Sequence, residues 1–225
     1  MLNIFVAILP ALLFILLFYL LNKDFVTKRW YILLLLLVIG ALGSYVCYRF
    51  EMHYGSYFKK IKDCNYLEVL FYAVFGVAIF EEGYKWVVST IPSIIDKCVD
   101  SLSIVTYSVF TSIGFALFEN IVYFAIPYGI STSIGRLFTA FPSHICNAIW
   151  MGYFLSLFKE KKGPIRYLYL ILSIIAPIIV HALYNSFLYG KDATLMNYHI
   201  YYYVSLCIVS IILLVITIKK RFRNS

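Results

Sequence analysis

Seven stretches of about 20 apolar residues follow one another along this chain, at 2–21, 30–49, 70–93, 102–126, 138–158, 167–189 and 199–218. A helix of that length rises about 30 Å, the thickness of a bilayer's hydrocarbon core. In hydrocarbon each backbone amide must find its partner inside the protein, and runs that are apolar throughout do so as helices. The expectation is an all-α, polytopic helical membrane protein with about seven transmembrane helices. The chain has 225 residues, 63% of them hydrophobic, and its loops are short, so a separate soluble domain has no room. It reads as a single integral membrane domain over 1–225, with two N-terminal spans and a loop in 1–66 and a polar-residue-bearing core at about 70–190. Function must then reside within the membrane or at its surface.

Charge sets the orientation. The net charge of +8 falls between the apolar runs and at the C-terminus, Lys219 to Arg223. That distribution suits topology anchors beside anionic lipid and not a nucleic-acid surface. Loops after the first, third, fifth and seventh runs hold twelve Lys and Arg, and the opposite loops hold six. A multi-pass protein of the cell membrane is expected, with its N-terminus outside and its C-terminus cytoplasmic. A re-entrant third segment would move only the N-terminus. The first run lacks a basic leader and a small-residue cleavage site, so it reads as a retained helix. Five scattered cysteines (Cys47, Cys64, Cys98, Cys146, Cys207) form no paired motif and read as packing residues.

Ionisable groups inside spans cost roughly 2.5–3.5 kcal/mol each on insertion scales, so they are paired, wetted or used. Segment three holds Glu81, Glu82 and Lys85. Glu81 and Lys85 are four apart and share a face, where a salt link can form. Glu82 lies about 100° round the helix and needs another partner. Segment four holds Glu119 and Asn120, segment five His144 and Asn147, and segment six His181 and Asn185. Counting about 1.5 Å per residue from the span ends puts all four sites in the outer half of the bilayer, around one polar cavity. That count takes segment three to enter at Phe71.

Carboxylates and imidazoles together can activate water as general bases, or ligate zinc with one position left open. A neutral His and an Asn can hold an oxyanion. No H-E-x-x-H motif, rhomboid-type serine or intramembrane aspartate pair is present. Ser143 and His144 are sequence neighbours and do not face each other on a helix.

These residues resemble the PrsW family of membrane-embedded proteases, distantly similar to the CAAX-prenyl-protease-like (CPBP/ABI) superfamily. The match lies in Glu81, Glu82 and Lys85; in Phe115, Glu119 and Asn120; in Arg136 followed by Pro142 and His144, with Gly152 beyond; and in His181 with Asn185. It spans roughly 75–190. The resemblance implies a peptidase that cuts a single-span, anti-sigma-factor-like protein on its extracytoplasmic side. It implies Glu81 as the water-activating base, Glu119 assisting or ligating, and His181 and Asn185 steadying the oxyanion. Glu82 would support the site through Lys85 or an imidazole, and His144 would serve as ligand or second donor. The related superfamily has His where this chain has Glu119. Water activated by glutamate directly and a metal such as Zn2+ held by Glu82, Glu119, His144 and His181 both stay open. The implied partners are that substrate and the lipid bilayer, with no nucleic acid. Two rival functions are a membrane enzyme acting on a lipid-linked substrate and a proton-coupled transporter or scaffold.

Overall fold

A computed structural model describes residues 2–55, 65–97, 99–125, 130–189 and 193–224, and these are helical almost throughout. Cys64, Cys98 and the loop residues Lys59, Lys60, Lys62 and Lys191 lie outside the described residues. The elements are α1 (Leu2–Leu21), α2 (Lys23–Gly55), α3 (Tyr66–Tyr72), a π-helical stretch (Ala73–Ala78), α4 (Ile79–Ile95), α5 (Ser101–Ala125), α6 (Ile130–Phe138), α7 (Ala140–Glu160), α8 (Ile165–Tyr189) and α9 (Ala193–Asn224).

Among the described residues four helices are long and apolar enough to cross a membrane, at 23–53, 101–125, 165–189 and 198–221. The apolar run of α1, Val6–Leu21, is shorter. Two further rods, α7 of 21 residues and the continuous run from α3 to α4, carry the charged and polar groups named above. The protein is a multi-pass helical membrane protein.

α5 is the centre of the bundle. Every residue from Ser101 to Ala116 is buried, and α1, α2, α4, α7 and α9 pack round it. Three of its hydroxyls, those of Thr106, Ser108 and Thr111, donate to carbonyls one turn back, whereas that of Ser112 is buried without a partner among the described residues. Lipid offers no hydrophobic drive between helices, so the packing depends on small residues that let backbones approach. Gly114 sits against the Leu37 backbone of α2, where an added Cβ would lie 2.0 Å from the Leu37 carbonyl oxygen. Gly152 of α7 lies as tightly on α5, its notional Cβ 2.6 Å from Val105 Cα.

Positive and polar side chains gather at one end of the bundle. Arg29 Nε donates to Asp96 at 2.9 Å, Arg221 pairs with Asp100 at 3.1 Å and reaches Asn22 at 2.6 Å, and Lys220 pairs with Glu160 at 2.9 Å. Lys159 donates to the Ser93 carbonyl at 2.9 Å. A cleft of about 490 Å³ opens here, lined by Asp100, Ser101, Lys159, Glu160 and Arg221. The segments following the first, third, fifth and seventh apolar runs thus meet at one end. The third run passes along the bundle: Asp96, just past α4, is at this end, while Tyr66 at the start of α3 meets Ser186 near the far end of α8 at 3.3 Å.

Candidate active site

The helix bearing Glu81 is not regular. It begins at a capping box, in which Asn65 accepts from the Glu68 amide and the Glu68 side chain accepts from the Asn65 amide. It then widens into the π stretch Ala73–Ala78, which adds a residue to the turn and so rotates everything after it by about 100°. Small residues allow this wide turn to lie on α8, with Ala73 and Ala78 against Ile178 and Ala182. The next turn delivers Glu81, Glu82 and Lys85, all buried, towards α7 and α8.

Lys85 is 0% exposed, and each of its three N–H donors has an acceptor. Nζ lies 2.6 Å from Glu82 Oε1, 3.2 Å from His144 Nδ1 and 3.4 Å from Glu81 Oε2. It also sits over the Phe115 ring, 4.3 Å from the centroid. The tight partner of Lys85 is therefore Glu82, three residues before it, with Glu81 a weaker contact. The other partner that Glu82 required is His181, whose Nδ1 lies 2.7 Å from Glu82 Oε1. Asn147 adds a longer bond to the same oxygen, at 3.4 Å.

A carboxylate only accepts, so the Glu82 bond puts the proton of a neutral His181 on Nδ1 and leaves a lone pair on Nε2. At His144 the same logic runs the other way. The Lys85 ammonium donates to Nδ1, so Nε2 carries the proton, and it donates to Glu119 Oε2 at 2.8 Å. Glu119 is held in turn by Arg136 of α6, whose guanidinium donates to Oε1 at 2.6 Å and lies on the Tyr123 ring. One bonded chain thus runs Arg136–Glu119–His144–Lys85–Glu82–His181 across α6, α5, α7, α4 and α8.

Of the residues singled out by sequence, this chain joins Glu82, Lys85, Glu119, His144 and His181, with Glu81 beside Lys85 and Phe115 beneath it. Asn185 is buried one turn beyond His181 on α8. Asn120 is buried with its amide nitrogen unpartnered among the described residues. Arg136 and Asn147, also named from sequence, join the constellation, and only the fold pairs them. One further acid lies close by. Glu51, near the end of α2, is a half-buried acid in the neighbourhood of Glu81; its signal was a lone acid closing an apolar run. The charged groups of the site bond to one another, and exposure rises only towards Glu119, whose side chain is 22% exposed. Glu81, His144 and His181 are each 5% exposed.

Glu81, Glu82, His144 and His181 are a buried group that could hold a metal ion by donor type, their ligand atoms lying within 4.8 Å of one another. As placed they do not fit one. The Lys85 ammonium already touches three of the four, and both nitrogens of His144 are committed. Glu119, a candidate ligand from sequence, faces Arg136 and lies outside that group.

The profile of the PrsW family, described as intramembrane metalloproteases, matches residues 28–215. Protease PrsW of Oceanobacillus iheyensis is 31% identical over 189 residues, covering 81% of each chain. Protease PrsW of Clostridioides difficile is 32% identical over 130 residues, 55% of this chain and 54% of that protein. Protease PrsW of Bacillus subtilis is 26% identical over 165 residues, 71% of this chain and 65% of that protein. No solved structure matches the chain. The chain belongs to the PrsW family of intramembrane proteases.

Proposed function

We propose that this protein is a membrane-embedded endopeptidase in which the Glu81 carboxylate activates water against a peptide bond of a single-span membrane protein. The observation that carries this is the inequality of the two adjacent acids. Glu82 is pinned through Oε1 by Lys85, His181 and Asn147, while its Oε2 is buried without a partner among the described residues. The bond that Glu81 makes with Lys85 is long, at 3.4 Å, which leaves its lone pairs available as a base. A Glu81 oxygen and a His181 nitrogen lie within 4.8 Å of each other, close enough for both side chains to act on one small substrate group.

Glu81 takes a proton from a water as its oxygen attacks the carbonyl carbon, and it returns the proton to the leaving nitrogen. The open Nε2 of His181 holds the water's second hydrogen. This departs from the oxyanion role expected from sequence, since a neutral His181 has no N–H on that side. Asn185, one turn on, is left as the amide donor for the oxyanion. The substrate class follows the family resemblance: an anti-sigma-factor-like, single-span protein cut on the extracytoplasmic side. The gathering of positive residues at the end of the bundle remote from Tyr66 supports that orientation.

The test is cleavage of a labelled single-span peptide in proteoliposomes by wild type, Glu81→Gln and Glu82→Gln. Glu81→Gln should fold as wild type does and lose about 10²-fold or more in kcat. Glu82→Gln should lose stability as well as rate. Full activity in Glu81→Gln would remove that carboxylate from the chemistry.

A further inference from the structure

The hydrolytic reading of the site leaves one residue with more partners than a bystander needs. Lys85 has no exposure, three acceptors for three N–H donors, and an aromatic face beneath it. A zinc ion bonded to Glu82 Oε1 and His144 Nδ1 would lie about 2 Å from each. Nζ of Lys85 lies 2.6 and 3.2 Å from the same two atoms. An ion and the ammonium would contend for one small volume, and two cations that close repel strongly in a medium of low dielectric. The ammonium also does what a metal would do for geometry. It draws two carboxylates and an imidazole from α4 and α7 to one point, and it fixes which nitrogen of His144 is protonated. A metal ion would do the opposite at His144, since its lone pair on Nδ1 can serve only one cation.

We propose that the buried ammonium of Lys85 occupies the place a divalent ion takes in a metalloprotease, so that this site is assembled without a bound metal. The lysine and an ion are alternatives. Removing the charge while keeping the side-chain length frees Glu81, Glu82, His144 and His181 to act as the ligand set their types suggest. Lys85 is a positioning residue under this scheme and does not touch the substrate.

The experiment is metal analysis of the full-length chain, purified in detergent, incubated with zinc chloride and desalted. Wild type, Lys85→Met and the double variant Lys85→Met/His181→Ala are compared by mass spectrometry of the metal. Wild type should carry less than about 0.1 zinc per chain, Lys85→Met about one, and the double variant again little. Wild type retaining about one zinc that His181→Ala removes would overturn the proposal. So would a folded Lys85→Met that binds none. Should Lys85→Met not fold, wild type alone decides: metal-free chains whose peptide cleavage survives 1,10-phenanthroline support the proposal, and chelator-sensitive cleavage defeats it. Zinc content is read without substrate. A zinc-loaded wild type that cleaves defeats this inference alone, whereas a metal-free chain that never cleaves defeats the protease reading.

Discussion

The link between Glu119 and Arg136 offers the sharpest test of the bonded chain, because it lies at the end furthest from Glu81. Glu119 accepts from Arg136 at 2.6 Å and from His144 at 2.8 Å. Both are charge-assisted bonds, each worth roughly 1.5–3 kcal/mol net. The side chains are 22% and 14% exposed, so some water screens the pair. Breaking a fully buried pair from one side costs about 3–5 kcal/mol, and partial exposure lowers the expectation here to about 2–4 kcal/mol for Arg136→Met or Glu119→Gln alone. Arg136→Met strands the Glu119 charge, whereas Glu119→Gln strands the guanidinium, whose Nε is already buried without a partner. The double variant loses both charges together, so it should be less destabilised than the sum by about 1.5–3 kcal/mol. Unfolding of the reconstituted protein by steric trapping measures all three. Single effects that add to within about 0.5 kcal/mol would refute the pairing, and with it the claim that α6 fixes His144 through α5.

Three other outcomes are expected. Gly152→Ala should destabilise by about 1–3 kcal/mol, because its Cβ meets Val105 backbone that cannot swing away; unchanged unfolding in the same assay would mean that α5 and α7 are further apart. The Cys146 and Cys207 sulfurs are 4.0 Å apart across α7 and α9, so mild oxidation of the folded protein should join them, read as a loss of about 2 Da in the intact mass. Free thiols after prolonged oxidation would place α9 elsewhere. Trp86→Phe removes the 2.8 Å bond from α4 to Ser173 of α8 and should cost about 1 kcal/mol with cleavage kept, measured as unfolding beside kcat.

The helical plan was legible because each run's apolar length is a local property. α5 and α8 start and stop within a few residues of the expected ends. The short α6 was not legible: it lies in what read as the loop before the fifth run, whose expected start at 138 is within two residues of the start of α7. The π stretch has no signature in Ala73–Ala78, yet it sets the direction in which Glu81 and Glu82 point. Convergence of the acids and imidazoles was legible in kind. The partner choice was not, since helical spacing permits Lys85 to reach Glu81 or Glu82 equally. The neighbours His181 and Asn147 decide it by adding donors to the Glu82 side. The depth count was a weak guide. The helix starts at Tyr66, about a turn and a half before the assumed entry at Phe71, and Glu81 still meets the cluster around His181. Glu51 was missed because α2 carries no motif, and pairing across helices is written in the packing and not in either segment.

The burial of α5 has a consequence for biogenesis. A helix that carries Ser101, Ser103, Thr106, Ser108, Thr111 and Ser112 on nearly every face suits protein neighbours better than acyl chains. During synthesis its neighbours on the N-terminal side are already made, while α7 and α9 are still to come. α5 must therefore shelter against α1, α2 and α4 as it leaves the translocation channel, and the later helices close over it. Truncation after α5 should yield a segment that chaperones and quality-control proteases recognise, although every residue of it is native.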